Sequence, residues 1–378
     1  MARQEGTPHD PPRHIGREVS AFGIEEEFFL YDRRTGLPAA PSHDHVSAFT
    51  EITAGGGCTS TEWLACQIET STPVLHDGTA ALESLRSFRS ALTATADGFD
   101  MDAVGIGTAP RIPRERATVT ANERYDRFVA LAPGFAADQY INGMHVHVSI
   151  PDRDTGVRAL NGLRPWLPVL TALGANSPLW RGQDSGFASW RAIHYSRWMA
   201  SGPPPHFEDA RDYEARVSAL LESDVVFDRG CLNWLARLPE HLPTLEVRAS
   251  DVQLQADDTV TLALLTRALV EAAMDAPPVT HPIPAERLDI AQWQAARYGL
   301  DGRLFDPARC ASLPAADVVW SLFTYVRPYF ADADEESLVR AGLDRFLSHG
   351  TGAARQRAAF SSEGIDGALR SAAAALTS

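Results

Sequence analysis

The chain has 378 residues, of which 44% are hydrophobic and 22% charged, and its formal net charge is −15 at pH 7. This length can bury a large core, either as one α+β domain or as two or three domains of roughly 150 residues each. The strong negative charge argues against nucleic acid, or an anionic membrane, as a general partner.

The cysteines and the N-terminus bear on the compartment. Cys58, Cys66, Cys231 and Cys310 show no paired spacing, which argues against a disulfide framework or a zinc knuckle. This usage fits a reducing compartment, so we expect a cytoplasmic protein. Residues 1–17 are polar, contain prolines and lack an apolar signal-peptide core, which predicts a disordered tail. No apolar run reaches the about 18 residues that a membrane span needs.

Hydrophobic periodicity predicts four strands and four helices. In chain order these are strand Phe22–Asp32, strand Leu64–Pro73, helix Thr79–Phe99 with Asp77 as its N-cap, strand Ile141–Ile150, helix Leu163–Ala175, strand Leu245–Val252, helix Thr259–Met274 and helix Asp317–Phe330. The chain shows no strict βαβ alternation and no glycine-rich phosphate loop. We therefore predict an α+β fold with a mostly antiparallel sheet and helices packed on one of its faces.

Alternation sorts the side chains of each predicted strand onto two faces. In the first strand Ile24, Glu26 and Phe28 share one face, and Glu25 and Glu27 lie on the other. The other three strands repeat this division into an apolar face and a face of ionisable or polar groups. The polar faces together carry Glu25, Glu27, Gln67, Glu69, His145, His147, Glu246 and Arg248.

The grouping of these carboxylates predicts a metal site. Neighbouring carboxylates repel one another unless a cation neutralises them, and Arg248 is the sole cation at the central positions. Oxygen ligands with one or two histidines suit Mg²⁺ or Mn²⁺, and the lack of cysteine ligands argues against zinc. Taken singly, each motif has an ordinary interpretation: Glu25–Glu27 as a solvated charge run, His145-x-His147 as a structural pair and Glu246-x-Arg248 as a cross-strand ion pair.

The same segments resemble the glutamate–cysteine ligase type 2 family, in particular its YbdK-like bacterial carboxylate–amine ligases. The matching stretches lie between about residues 20 and 275, and they are FGIEEEFFLYD (22–32), QIETSTPV (67–74), NGMHVHVSIPD (142–152), ANSPLWRGQDSGFASWR (175–191), PTLEVRASDV (243–252) and DDTVTLALLTRALV (257–270). Each motif is weak alone, and the set is specific.

The resemblance implies a glutamine-synthetase-like catalytic core, with an antiparallel sheet curved into a funnel. One catalytic domain would then span residues 18–378, of which 276–378 form a mainly helical part. The implied reaction activates a carboxylate, typically that of the glutamate side chain, with ATP as an acyl phosphate that an amine captures. The implied cofactors are ATP and Mg²⁺ or Mn²⁺, the partners are a small-molecule acid and amine, and a homo-oligomer is a family-level expectation.

Roles also carry over from the family at single positions. Its positions that bind metal and nucleotide phosphates correspond here to Glu25, Glu27, Glu62, Glu69, His145 and Glu246. Arg248 and Arg191 correspond to arginines that contact phosphate or the substrate carboxylate, and they are the predicted catalytic groups. Nucleotide contacts are expected from Glu25, Glu27 and Arg248, and substrate contacts from His147, Gln67 and Arg237.

One departure concerns the amine or nucleotide pocket. The family usually reads Trp-Asp-x-Arg-Pro where this chain has WLARL at 234–238, so Leu235 replaces an acidic residue. The replacement is compatible with an acceptor other than cysteine or with reduced activity. The aromatic residues nearby either line an acceptor pocket or belong to the core, and they are Trp190, Tyr195, Trp198 and Phe207.

Two other classes of function stay open on the sequence alone. A metal-dependent hydrolase would use His145 and His147 as a metal pair, although in amidohydrolase barrels such a pair lies early in the chain. A non-catalytic nucleotide-binding relative would keep the fold and lose turnover. Hydrolysis without ATP would indicate the hydrolase, and nucleotide binding without turnover would indicate the non-catalytic relative.

Overall fold

A computed structural model describes residues 19–378, so the predicted tail at 1–17 lies outside the described residues. The strands are β1 Phe22–Asp32, β2 Leu37–Pro38, β3 Cys58–Thr61, β4 Gln67–Ser71, β5 Met101–Val104, β6 Gly143–Ser149, β7 Leu179–Trp180, β8 Gln183–Asp184, β9 Ala236–Arg237, β10 Thr244–Asp251, β11 Arg303–Asp306 and β12 Ala311–Pro314.

The α-helices are α1 Val46–Thr50, α2 Gly78–Asp97, α3 Glu123–Leu131, α4 Arg153–Leu163, α5 Leu167–Leu173, α6 Trp190–Tyr195, α7 Ala210–Leu221, α8 Ala256–Asp275, α9 Ala285–Tyr298, α10 Ala315–Val326, α11 Ala333–His349 and α12 Gly352–Ala375. Short 3₁₀ turns lie at His43–His45, Ala54–Gly56, Ala136–Asp138, Arg164–Trp166, Arg229–Cys231 and Arg327–Tyr329.

The main sheet is antiparallel, with the strand order β3-β4-β1-β6-β10-β9, and β2 and β5 also pair with β1. Helix α8 packs on β6, α5 packs on β10, and α2 and α4 pack on α8. The apolar side chains of β1, such as Phe22 and Ile24, enter the core that these helices form. The predicted α+β class, with helices packed on one face of the sheet, is confirmed.

Glu26 ties the central strand to two of these helices. It is fully buried, and its carboxylate accepts hydrogen bonds from Arg89 Nη2 at 2.6 Å and Nε at 3.1 Å. The hydroxyl of Thr259 donates to the same carboxylate at 2.6 Å. Because Arg89 lies on α2 and Thr259 on α8, the ion pair and the hydroxyl hydrogen bond together fix both helices to the sheet face opposite Glu25 and Glu27.

Two predicted elements differ from the structure. The predicted helix Leu163–Ala175 corresponds to the 3₁₀ turn Arg164–Trp166 and α5, whereas α4, which begins at Arg153, was not predicted. There Asp152 caps α4 by accepting from Thr155 N at 2.8 Å. Proline at 165 and at 168 lacks the backbone N–H of a continuous helix, so a 3₁₀ turn separates α4 from α5. The predicted strand Leu64–Pro73 shortens to β4.

Residues 276–378 contain helices α9 to α12 and the β11–β12 hairpin. Helix α12 packs back against the part of the chain before residue 276, where the amide of Gln356 donates to Asn176 O at 2.8 Å. The assignment of 18–378 to one catalytic domain stays a prediction. Between residues 19 and 378, no helix combines the length and the apolar character that crossing a membrane requires.

Candidate active site

The strand register brings most of the predicted site residues together on the face of the sheet opposite Glu26. The cross-strand neighbours are Glu25 with His145, Glu27 with Glu69, His147 with Glu246, and Glu246 with Arg237. Cross-strand neighbours lie about 4.5–5.5 Å apart at their Cβ atoms, so these side chains interact directly. Beyond Glu27 the same face of β1 becomes apolar, with Phe29 and Tyr31 buried, which confines the charged patch to one end of the sheet.

His145 lies at the centre of the carboxylates and is 4% exposed. Its Nδ1 is 2.9 Å from Glu25 Oε2 and 3.9 Å from Glu246 Oε1, and its Nε2 is 3.8 Å from Glu27 Oε1. His147 Nε2 lies 3.3 Å from the other oxygen of Glu25. One imidazole therefore contacts acidic groups from three different strand positions.

This donor set fits a divalent cation. Ligand atoms of Glu25, His145 and Glu246 lie within 4.8 Å of one another, and so do those of Glu27, Glu69 and His145. The Nε2 atoms of His145 and His147 are buried without a hydrogen-bond partner among the described residues. Carboxylate oxygens with an imidazole match the preferences of Mg²⁺ and Mn²⁺, and His145 belongs to both groups.

The electrostatics of the carboxylates show why such a cation would be favourable. Burial, reinforced by Glu27, raises the pKa of Glu62 to about 7. Burial, reinforced by Glu62 and the β1 carboxylates, also raises the pKa of Glu69 well above its usual range. Burial alone would raise the pKa of Glu25 too, but the neighbouring imidazoles of His145 and His147 outweigh it and lower that pKa. Glu62 and Glu69 are thus acidic groups without a sufficient positive partner of their own.

The arginines divide between the site and its support. Glu246 lies between two guanidinium groups, since Arg248 Nη1 donates to its Oε1 and Arg237 Nε donates to its Oε2 at 2.6 Å. Arg248 Nη2 also donates to Tyr195 Oη at 3.0 Å. The Nη1 of Arg237 donates hydrogen bonds to the backbone carbonyls of residues 229, 230 and 232. Arg237 therefore holds Glu246 in place, whereas Arg248 lies beside His145, with 3.5 Å between Nη1 and Nδ1.

Two other predicted residues are fixed by local bonds. Arg191, 2% exposed, donates from Nη1 to Arg248 O at 3.4 Å and lies 3.9 Å from Asp251. The side chain of Gln67 accepts from Leu64 N at 2.8 Å and donates to Ile141 O at 2.7 Å. Gln67 thus shapes the turn before β4.

Two adjoining cavities open onto this cluster. The outer cavity, of about 530 Å³, is lined by Glu25, Glu69, His147 and Glu246 among others. The inner cavity, of about 140 Å³, is lined by Arg191, Gln139, Tyr195 and an aromatic wall of Trp63, Phe128 and Trp198. Their common border consists of Glu27, Glu62, Arg124, Tyr125, His145, Gly230 and Arg248.

Sequence reasoning missed part of this inner wall. Trp63, Phe128 and Gln139 come from loops and a helix without a motif, and the sole signal in the sequence is the density of aromatic residues at 125–135. Of the aromatic candidates, Tyr195 and Trp198 line the cavity, whereas Phe207 lies in the main core. Leu235 also belongs to that core, at 3% exposure, and lines neither cavity.

Comparisons with known proteins identify the family of this chain. Residues 21–375 match the family described as glutamate-cysteine ligase family 2 (GCS2). A protein of Nocardia farcinica named "Putative glutamate--cysteine ligase 2-1" is 40% identical over 349 residues, which cover 92% of this chain and 90% of the relative. A Mycobacterium sp. (strain KMS) protein with the corresponding name, ending 2-2, is 39% identical over 347 residues, with coverages of 90% and 94%.

Solved structures give the fold. A bifunctional glutathione synthetase from Pasteurella multocida matches with a TM-score of 0.70 at 13% identity, covering 95% of this chain, and this chain spans 52% of that protein's length. A glutamate–cysteine ligase from Francisella tularensis, in complex with AMP, matches with a TM-score of 0.65 at 11% identity, with coverages of 95% and 89%. These matches give no support to a hydrolase or to a non-catalytic relative. The chain belongs to glutamate–cysteine ligase family 2, the family of ATP-dependent carbon–nitrogen ligases that its motifs predicted.

Proposed function

We propose that the protein joins a carboxylate to an amine at the expense of ATP, through an acyl phosphate, and that glutamate supplies the carboxylate. The observation that carries this proposal is the position of His145 between two groups of carboxylates, with the Arg248 guanidinium 3.5 Å from its ring. Such an arrangement suits the triphosphate of a nucleotide and the charge that moves during phosphoryl transfer. The relatives named as glutamate–cysteine ligases support glutamate as the acid.

The metal ligands that we propose are Glu25, Glu27, Glu62, Glu69, His145 and Glu246, with Mg²⁺ as the ion and Mn²⁺ as the alternative. Cations held by these residues would supply positive charge that neutralises the phosphate oxygens during transfer. Glu246 has two guanidinium partners already, so its position is set before any ion binds.

The arginines supply the positive charge that belongs to the chain itself. Arg248 is held by Glu246 and by Tyr195 Oη, so its guanidinium needs little reorganisation when a phosphoryl group passes. We assign Arg191, which lines the inner cavity, to a substrate carboxylate. Glu25, Glu27 and Arg248 would meet the nucleotide, and His147, which lines the outer cavity, would contact substrate. Gln67 and Arg237 act as positioning residues, since their donors are taken.

The inventory of side chains supports an acyl phosphate over an acyl-enzyme. The described residues that line the two cavities include no serine and no cysteine. Attack on an activated carboxylate by an external amine needs no enzyme nucleophile. A phosphoryl group on the carboxylate oxygen supplies the leaving group instead.

The course of the reaction can be followed with an isotope. Substrate labelled with ¹⁸O in the reacting carboxylate should transfer one label to inorganic phosphate, and ADP should be the nucleotide product. The reason is that the carboxylate oxygen bridges carbon and phosphorus until the amine displaces phosphate. Label in AMP, or unlabelled phosphate during amide formation, would contradict the mechanism.

The use of ATP and the four unpaired cysteines support a cytoplasmic location, which cell fractionation would check.

A further inference from the structure

The inner cavity combines a charged border with an aromatic wall. Glu27, His145 and Arg248 line both cavities and so mark the place where they meet. Trp63 and Phe128 line the inner cavity alone. A molecule in the inner cavity would therefore have one end at the reacting groups and the other against aromatic rings.

The aromatic wall is closely packed and offers no free polar group from Trp63. The rings of Trp63 and Phe128 lie 5.6 Å apart, those of Phe128 and Trp198 5.3 Å, and those of Trp63 and Trp198 5.9 Å, all edge to face. The indole N–H of Trp63 already donates to Ala136 O at 3.1 Å. A polar side chain against this wall would lose water without gaining a hydrogen bond, so the wall favours apolar groups.

Two buried donors in the same cavity lack partners. Gln139 is 5% exposed, and its Oε1 accepts from Arg197 Nη2 at 2.8 Å, which leaves its Nε2 without a partner among the described residues. Arg191 Nε is likewise buried and unpartnered. Buried donors normally have an acceptor, and the acceptor that would satisfy an amide and a guanidinium together is a carboxylate.

The division of space assigns the inner cavity to the amine. The carboxylate to be activated must touch the nucleotide phosphate, so it lies at the border, beside His145 and Arg248. The nucleotide belongs to the outer cavity, where the acidic cluster lies, and the inner cavity remains for the second substrate. Its volume of about 140 Å³ is close to the about 150 Å³ of an apolar cavity that takes up benzene.

We propose that the acceptor is an amino acid with an apolar side chain of up to the size of a benzene ring, held with its side chain against Trp63, Phe128 and Trp198 and its carboxylate on Gln139 and Arg191. This inference rests on the proposed function. The ammonium first loses a proton to solvent, and the amine nitrogen then forms a bond to the acyl carbon. The carbon–oxygen bond to phosphate breaks, and phosphate leaves with the second amine proton. The smaller side chains of cysteine and serine would make fewer contacts with the aromatic wall.

The first test compares acceptors in the presence of ATP, Mg²⁺ and glutamate. The acceptors are leucine, phenylalanine, cysteine, serine and hydroxylamine, and the last fits any amine site. We expect kcat/KM for leucine or phenylalanine to exceed that for cysteine at least about tenfold, with serine lowest. If hydroxylamine gives the hydroxamate but cysteine is a better acceptor than both apolar amino acids, the inference is overturned and the proposed function stands. No hydroxamate and no ADP with any of a panel of acids would defeat the proposed function itself.

The second test separates the carboxylate contact from the ring contact. Gln139→Leu should lower kcat/KM for phenylalanine by about tenfold or more and change that for phenethylamine, which lacks the carboxylate, by less than about twofold. Gln139→Glu should discriminate against phenylalanine still more strongly, because like charges repel. Equal losses for both acceptors in both variants would assign Gln139 a structural role and refute the contact.

The aromatic wall is tested by a ratio of rates. Phe128→Ala should lower the rate with leucine at least about tenfold more than the rate with hydroxylamine. The matched control is Phe227→Leu, because the Phe227 ring packs on Phe128 with centroids 4.7 Å apart but does not line the cavity. The control should leave the ratio unchanged. An unchanged ratio in Phe128→Ala, with folding verified by circular dichroism, would contradict the role of the wall.

Discussion

At the scale of single residues, Arg248 combines a fixed position with a proposed contact to the reacting groups. Arg248→Lys keeps the charge and loses the planar fork that holds both Glu246 and Tyr195 Oη. We expect kcat to fall by about 10²–10³, with less than a tenfold change in the KM for ATP, because the contact matters most in the transition state. Arg86→Lys, on the exposed pair with Asp257, is the control. Normal turnover with weakened nucleotide binding would instead assign Arg248 to ground-state docking.

Glu62 gives a prediction about pH. Burial and Glu27 raise its folded pKa to about 7, above the ordinary 4.5, so the folded state binds more protons between these values. The ionised Glu62 carboxylate therefore lowers the free energy of unfolding fully above about pH 7 and not at all below about pH 4.5. In a buffer free of divalent cations, Glu62→Gln should therefore raise stability by about 1–2 kcal/mol at pH 8 and hardly at all at pH 4.5. Thermal unfolding at both pH values measures this, and a larger gain at pH 4.5 would contradict it.

At the scale of elements, the neighbouring Glu25 and Glu26 of β1 lie on opposite faces of the sheet and have different contacts. Glu25→Gln should reduce Mg²⁺-dependent activity by at least about a hundredfold and lower the free energy of unfolding by only about 1 kcal/mol, because its contacts with His145 and His147 are partly exposed. Glu26→Gln should instead lower that free energy by about 3 kcal/mol, because Arg89 would be left buried without its counter-charge. Urea unfolding and ADP release, measured on both variants, give the comparison. Similar profiles for the two would contradict the alternation of β1.

The same strand shows what the sequence could predict. The alternation of Phe22–Asp32 is strong enough to give the bounds of β1 and its two faces, and the segments around His145 and Glu246 behave likewise. Where the pattern is local, the elements and the charged cluster follow from it. The helix start at Arg153 was missed, since it depends on one capping contact of Asp152.

Contacts between distant segments could not be predicted from the sequence pattern. The ring contacts among Trp63, Phe128 and Trp198 join positions up to 135 residues apart, and no period relates them. The sequence also suggested Arg237 as a substrate contact, whereas its geometry fits support of Glu246. Whether a side chain contacts substrate or supports a neighbour depends on how loops pack over the sheet. The alternation of apolar and polar residues along the sequence does not determine this packing.

At the scale of the whole molecule, the chain contains no lysine, and all 34 of its cationic side chains are arginine. Arginine stays protonated at any physiological pH and is a poor nucleophile. An enzyme that forms an acyl phosphate next to arginines alone therefore does not offer it a competing side-chain amine. Apart from the N-terminus, the amines that reach the intermediate are substrates. A lysine introduced by mutation would therefore be the one side-chain amine that could be acylated.

A single lysine placed at the border of the two cavities should capture the activated acyl group. Arg124 lines both cavities, so Arg124→Lys puts an amine at that border. With ATP, Mg²⁺ and glutamate but no acceptor, we expect mass spectrometry to find a glutamyl group on residue 124, together with ADP. Arg370→Lys, at a position whose side chain is 65% exposed, is the control and should stay unmodified. Release of ADP without modification of residue 124, or equal modification at both positions, would contradict an acyl phosphate held at this border, since an intermediate formed there must react first with the nearest amine.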